Sequence, residues 1–106
     1  HMIGFVDHNG LQIDGATKDV MNVDPVDAKF AAFGWDVQVI DGHSFAAIRD
    51  AIKAAKASTS GKPQMIILET VKGKGVSFME NEAGWHGSAP NAEQVAQALK
   101  ELGEDA

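Results

Sequence analysis

Asn9 and Gly10 follow a short apolar run, Phe5-Val6, and precede Leu11. An Asn side-chain oxygen on a bent backbone is a hard-oxygen donor of the kind Mg²⁺ and Ca²⁺ take. The same dipeptide between apolar residues also signals a type I′ hairpin turn, and spacing alone leaves both readings open. Further along, Gly84-Trp85-His86-Gly87-Ser88-Ala89-Pro90 sets a histidine between a bulky aromatic and flexible residues. At the carboxyl end of the third strand–helix unit of an α/β sheet, His86 could shuttle a proton or meet a phosphate; the plainer reading is a partly exposed loop histidine. His8 precedes the Asn9 turn, near a ligand there without touching it, and His43 beside Ser44 reads as structural. Asp7, Asp14 and Asp41 fall at strand ends, but spacing elevates none of them to a catalyst. Gly73-Lys74-Gly75-Val76 fails as a phosphate loop, because no Ser or Thr follows Lys74 and the next helix starts far downstream.

The elements that must position these residues are clearly punctuated. Ile3–Val6 reads as a buried strand, with Gly4 marking close approach of another backbone. Val20, Met21 and Val23 are expected to cover a core edge. Asp24 is a candidate N-cap, Pro25 the first helical position, and Val26, Phe30 and Phe33 one apolar face ending at Gly34. Residues 35–40 alternate as a strand near a sheet edge. Ser44 caps a helix with Phe45, Ile48, Ile52 and Ala55 along one stripe. Met65-Ile66-Ile67-Leu68 suits a central parallel strand covered on both faces. A long loop runs from Thr70 to Pro90, and a last helix opens on the capping-box pair Asn91 and Gln94. Its apolar face is Val95, Ala98, Leu99 and Leu102, Gly103 stops it, and Glu104–Ala106 is expected to fray. Strand, helix, strand, helix, strand, helix implies an α/β fold with a parallel sheet and helical crossovers.

Composition narrows the partners. The 106 residues are 44% hydrophobic and 23% charged, which suits one small globular domain or a piece of a larger one. A net charge of −6 without a basic patch argues against nucleic acid, and no apolar run is long enough for a membrane span. With no cysteine there are no disulfides or thiolate sites, as fits a reducing cytoplasm. His1-Met2 reads as a cloning scar ahead of an internal sequence.

Taken together, Asp7-His8-Asn9-Gly10-Leu11-Gln12-Ile13-Asp14-Gly15, Lys29-Phe30-Ala31-Ala32-Phe33-Gly34-Trp35 and Ile40-Asp41-Gly42-His43 resemble transketolase. So do Lys62-Pro63, the run from Thr70 to Asn81, and Trp85-His86-Gly87-Ser88-Ala89-Pro90. The resemblance spans nearly the whole chain in order and is closest to the small N-terminal subunit of split transketolases. It implies a thiamine-diphosphate-binding fold, with residues 3–106 as the C-terminal portion of that domain. Asn9 matches the family asparagine that ligates the divalent metal, Mg²⁺ or Ca²⁺. Leu11 matches the residue whose backbone carbonyl completes the protein ligands. Ile13 matches an apolar residue near the cofactor. His86 matches the histidine that approaches the diphosphate and the sugar and assists proton transfer. The loop from Lys72 to Asn81 matches a flap near the active-site entrance.

The resemblance has one departure. The family's Gly-Asp-Gly strand end, which supplies the metal-ligating Asp, does not stand upstream of Asn9. The partner domain that contributes the activating glutamate is also missing. The resemblance thus implies ketol transfer between sugar phosphates by a complete enzyme, and a chain that is inactive and binds no cofactor alone. The remainder of the domain and a pyrimidine-binding domain or subunit are the expected partners. Truncation would also leave an unpaired strand edge, so self-association is expected. The alternatives are a non-catalytic assembly module of the same fold, or a related thiamine enzyme such as a deoxyxylulose-phosphate synthase.

Overall fold

The computed structural model describes residues 2–103; His1 of the expected scar and the C-terminal Glu104–Ala106 lie outside the described residues. The chain forms two compact units. One holds the chain up to Asn9 together with Val23–Thr70, and the other holds Gly10–Asn22 together with the chain from Val71 on.

The first unit is a three-stranded parallel sheet of β1 (Ile3–His8), β4 (Asp36–Asp41) and β5 (Gln64–Glu69), in the order β1-β5-β4. As the apolar run predicts, β5 is central, and Gln64, Met65, Ile66 and Ile67 are all buried. Register places Ile3 and Phe5 opposite Gln64 and Ile66, and Val6 and His8 opposite Ile67 and Glu69. Because side chains alternate along a strand, these pairs occupy opposite faces of the sheet. On the first face Ile66 packs with Ala51 and Ala55 of α3 (Phe45–Ala57), and Ile3, Ile40, Ile52 and Leu68 close around them. The alanines let the helix backbone approach the sheet. The single buried polar side chain among the described residues, Gln64, donates to the Asp36 carboxylate and the Lys62 carbonyl, so its burial carries no unmet hydrogen bond. The edge position of β4 matches its alternating sequence.

Several expectations need correction. β1 is an edge strand whose Phe5 is 50% exposed, and Gly4 is approached by the Met65 side chain, 2.8 Å from where a Cβ would lie, rather than by a backbone. The helix after Asp24 is α2 (Val26–Ala32), with Pro25 at the N-cap position and no side-chain cap. The Asp24 carboxylate is engaged by His8 instead. Phe33 lies just past the end of this short helix and is 83% exposed, while Phe30 packs edge-on against Trp35 with ring centroids 5.5 Å apart. Gly34 does take the left-handed conformation, at φ 86°. In α3 the Ser44 hydroxyl accepts from the Ala47 amide as expected, but Phe45 at its first position is 90% exposed. The buried stripe runs through Ala51 and Ala55, one turn and more beyond it. Val20, Met21 and Val23 are exposed, since α1 (Thr17–Val20) is a single turn with no buried residue.

The second unit contains the hairpin β2 (Leu11–Gln12) with β3 (Gly15–Ala16), and α4 (Ala92–Glu101). Both halves of the Asn91–Gln94 capping box form. No helix among the described residues is long and apolar enough to cross a membrane.

Ile66 has no exposed surface and sits between α3 and both flanking strands, so Ile66→Ala removes buried methyl groups and leaves a cavity. The substitution should cost about 2–5 kcal/mol. A urea midpoint equal to that of the wild type would contradict this placement of the core.

Candidate functional site

The sequence places its metal-donor candidates around Asn9, which ends the first unit half-buried. Gly10, the first residue of the second unit, has φ 71°, a conformation that a side chain would strain. Its carbonyl accepts from both the backbone amide and the hydroxyl of Thr17, at 2.9 and 3.3 Å. The Asn9-Gly10 hairpin reading is therefore wrong in position. β1 pairs with β5, and the two-residue hairpin turn is Ile13-Asp14, between Gln12 and Gly15. Ile13 sits in that turn at φ 34° and is 59% exposed. A β-branched residue at positive φ is strained, at a cost on the order of 1–3 kcal/mol, and such strain gathers at functional positions. The structure thus holds an apolar side chain outward where glycine would be easier.

His8 is more engaged than the sequence suggests. Its Nδ1 lies 2.8 Å from Glu69 and its Nε2 2.9 Å from Asp24. Carboxylates only accept, so both contacts are satisfied together when both ring nitrogens donate, and the pair of carboxylates favours the protonated ring. The Glu69 hydrogen bond raises its pKa above the ordinary histidine value; partial burial opposes this and Asp24 reinforces it. The parallel register puts His8 beside Glu69, whereas Asp24 arrives from a loop that periodicity cannot place. Asp7, on the opposite face, accepts from the Thr70 hydroxyl.

In the second unit His86 closes a 3₁₀ turn, Ala83–His86, and is exposed. β3 packs against this turn. The segment before it, expected as a long loop, is one that folds on itself. The Asn81 amide donates to the Lys72 carbonyl at 2.9 Å, and Val76, between them in sequence, is buried. Gly73, at φ 73°, is essential there, because a Cβ would meet the Met79 backbone at 2.5 Å. The Glu80 carboxylate accepts from the Gly75 amide. Glu101 of α4 accepts from the Ser77 amide at 2.6 Å and the Ser77 hydroxyl at 2.7 Å, with Gln97 at 2.8 Å. These bonds, the Ser77 amide foremost, hold the Glu101 carboxyl below the usual glutamate range. Nothing in the local sequence announces a tether across 24 residues.

The donors suit a hard cation in kind, since Asn9 offers an amide oxygen and Leu11 a carbonyl. They are two and neutral, and among the described residues no group of three or more His, Cys, Asp or Glu could hold a metal.

The lowered Glu101 pKa fixes the sign of a pH effect. Its contribution to stability is present above the unfolded glutamate value, about 4.3, and is lost as pH falls from there through the folded value. The urea midpoints of wild type and Glu101→Gln should therefore differ most at neutral pH and converge in acid. A difference independent of pH would contradict the tether.

Comparison with known proteins gives the family. The family model described as the transketolase thiamine diphosphate binding domain matches residues 1–106. The chain is 44% identical over 102 residues to the 6-deoxy-6-sulfo-D-fructose transketolase subunit SqwG of Clostridium sp. (strain MSTE9), covering 96% of this chain and 37% of that protein. It is 39% identical to an apulose-4-phosphate transketolase subunit of Phocaeicola vulgatus, covering 98% of this chain and 37% of the relative. The transketolase of Campylobacter jejuni superimposes with a TM-score of 0.88 at 33% identity, over 98% of this chain and 16% of that one. The chain thus spans little more than a third of the length of these curated subunits. It belongs to the transketolase family, within the thiamine-diphosphate-binding domain.

Proposed function

We propose that this chain is the C-terminal portion of a thiamine-diphosphate-binding domain whose complete enzyme transfers two-carbon ketol units between sugar phosphates. The observation that carries the reading is the unbroken match to the family domain over residues 1–106, together with relatives that are transketolase subunits. Thiamine diphosphate, when bound, supplies the carbanion chemistry of ketol transfer; protein supplies orientation and protons.

Within that reading Asn9, through its side-chain oxygen, and Leu11, through its carbonyl, ligate Mg²⁺ or Ca²⁺ beside the diphosphate. Ile13 offers its outward apolar side chain to the cofactor, and the strain at φ 34° supports a role beyond packing. His86 stands at the diphosphate and sugar and moves a proton at its imidazole. The closed loop from Lys72 to Asn81 borders the entrance. Two neutral oxygens bind a divalent cation weakly without a carboxylate, so the chain alone is inactive and needs the remainder of its domain. The two curated relatives are named as subunits, which supports a partner subunit, and on this reading that partner contributes the pyrimidine-binding site. A cysteine-free chain suits a cytoplasmic enzyme.

Calorimetry with thiamine diphosphate and Mg²⁺ should show no tight binding by the 106-residue chain, and tight binding once the rest of the domain and the pyrimidine partner are supplied. Micromolar affinity of the chain alone would overturn its incompleteness. Absence of binding after completion would overturn the cofactor reading.

Self-association follows from the free edge of β1, which among the described residues pairs only with β5, and from the exposed Phe5 on that strand. Light scattering should give a mass above that of one chain at high concentration. A sharp monomer mass at every concentration would contradict it.

A further inference from the structure

The His86 side chain makes no hydrogen bond among the described residues, so its placement comes from the backbone that carries it. That backbone is a four-residue 3₁₀ turn, a poorly bonded structure that does not hold itself rigid. Gly84 and Gly87 flank the Trp85-His86 pair, and a Cβ at either would meet nothing within 4 Å, so no packing fixes the turn at those points. Besides β3 against the turn, the Ser88 hydroxyl donating to the Gly84 carbonyl, and the backbone bonds from the Glu82 amide to the Met79 carbonyl and from the Trp85 amide to the Glu82 carbonyl, the side-chain anchor is Trp85. Trp85 is partly buried where its neighbour His86 is exposed. Its indole N–H donates to the Phe78 carbonyl at 3.0 Å, and its ring meets the Phe78 ring edge-on, centroids 5.5 Å apart at 61°. Phe78 follows Ser77, which Glu101 holds by two short hydrogen bonds. A continuous line of contacts thus runs from α4 through the flap to the histidine turn, all within one compact unit.

We infer that Trp85 is a positioning residue that ties His86 to the flap, so that the order of the flap sets the order of the histidine. Two kinds of bond make the tie directional. The indole hydrogen bond fixes Trp85 along its plane, and the edge-to-face ring contact fixes its tilt. Anything that grips or releases the flap between Lys72 and Asn81 is then felt at His86 without touching it. Only the idea that His86 is the reacting group comes from the proposed function. The tie itself stands on contacts present in the chain.

The test uses the 106-residue chain and NMR relaxation of the His86 ring carbons and of backbone amides. Trp85→Phe keeps a ring beside Phe78 and loses the hydrogen bond; Trp85→Leu loses both. His86 should become more mobile in Trp85→Phe and more mobile still in Trp85→Leu, its order parameter falling below about 0.6, while the amides of α3 stay unchanged. Glu101→Gln, which loosens Ser77, should also mobilise His86 in the wild-type background but add little once Trp85 is Leu. An unchanged His86 in Trp85→Leu, or full additivity of the two substitutions, overturns the inference. Should Trp85→Leu lose its dispersed amide signals, Trp85→Phe decides alone: raised His86 mobility supports the tie and unchanged mobility overturns it. The readout needs no cofactor, so failure here leaves the cofactor reading standing, and failure of the calorimetric prediction leaves the tie standing.

Discussion

The strand Gln64–Glu69 is the constraint on which the first unit depends. It pairs in parallel with both neighbours, so its backbone groups are satisfied on each side, and four successive residues are buried, so both of its faces must be covered. A strand in that position admits no slip of register, because one step would exchange the residue sets of the two faces. Fixing the register also fixes what emerges at its carboxyl end. His8 comes beside Glu69, and the Gly42 backbone amide donates to the Glu69 carbonyl at 2.8 Å. The segments that hold the candidate site residues leave from this end, where open α/β sheets collect their ligands.

Polar groups extend that order outward. Asp36 receives Ser60, Gln64 and Lys62, closing the loop before β5 against the start of β4. His8 joins the end of β1 to the start of α2 through Asp24. Each is a long-range pairing between residues whose own neighbourhoods say little about it.

That distinction explains what the sequence could reveal. Period, caps and breakers are local, and they located the central strand, the Ser44 cap, the Gly34 stop and the Asn91–Gln94 box. The failures fall where a distant partner prevails over a local preference. Asp24 has the chemistry of an N-cap and gives its carboxylate to His8. Phe33 and Phe45 continue an apolar spacing past the ends of the surface their helices bury. Asn9-Gly10 has hairpin composition, but β1 takes β5 as its neighbour and the turn moves to Ile13-Asp14. In the candidate site, Asn9, Leu11, Ile13 and His86 could be singled out as a pattern of residue types in order. The Ser77–Glu101 tether and the Trp85–Phe78 pair depend on how the long loop folds back, which no period encodes.

The closed form of that loop bears on the thermodynamics of ligand capture. A floppy segment of this length would have to be immobilised by whatever bound beside it, and the entropy lost would be subtracted from affinity. Here the Lys72–Asn81 hydrogen bond, the buried Val76 and the glycine at position 73 set the loop's shape within the chain itself. On the proposed function, a ligand arriving at its rim would meet a surface already formed. Its association should then carry a small entropic penalty from this segment, and selectivity would rest on fit rather than on induced order.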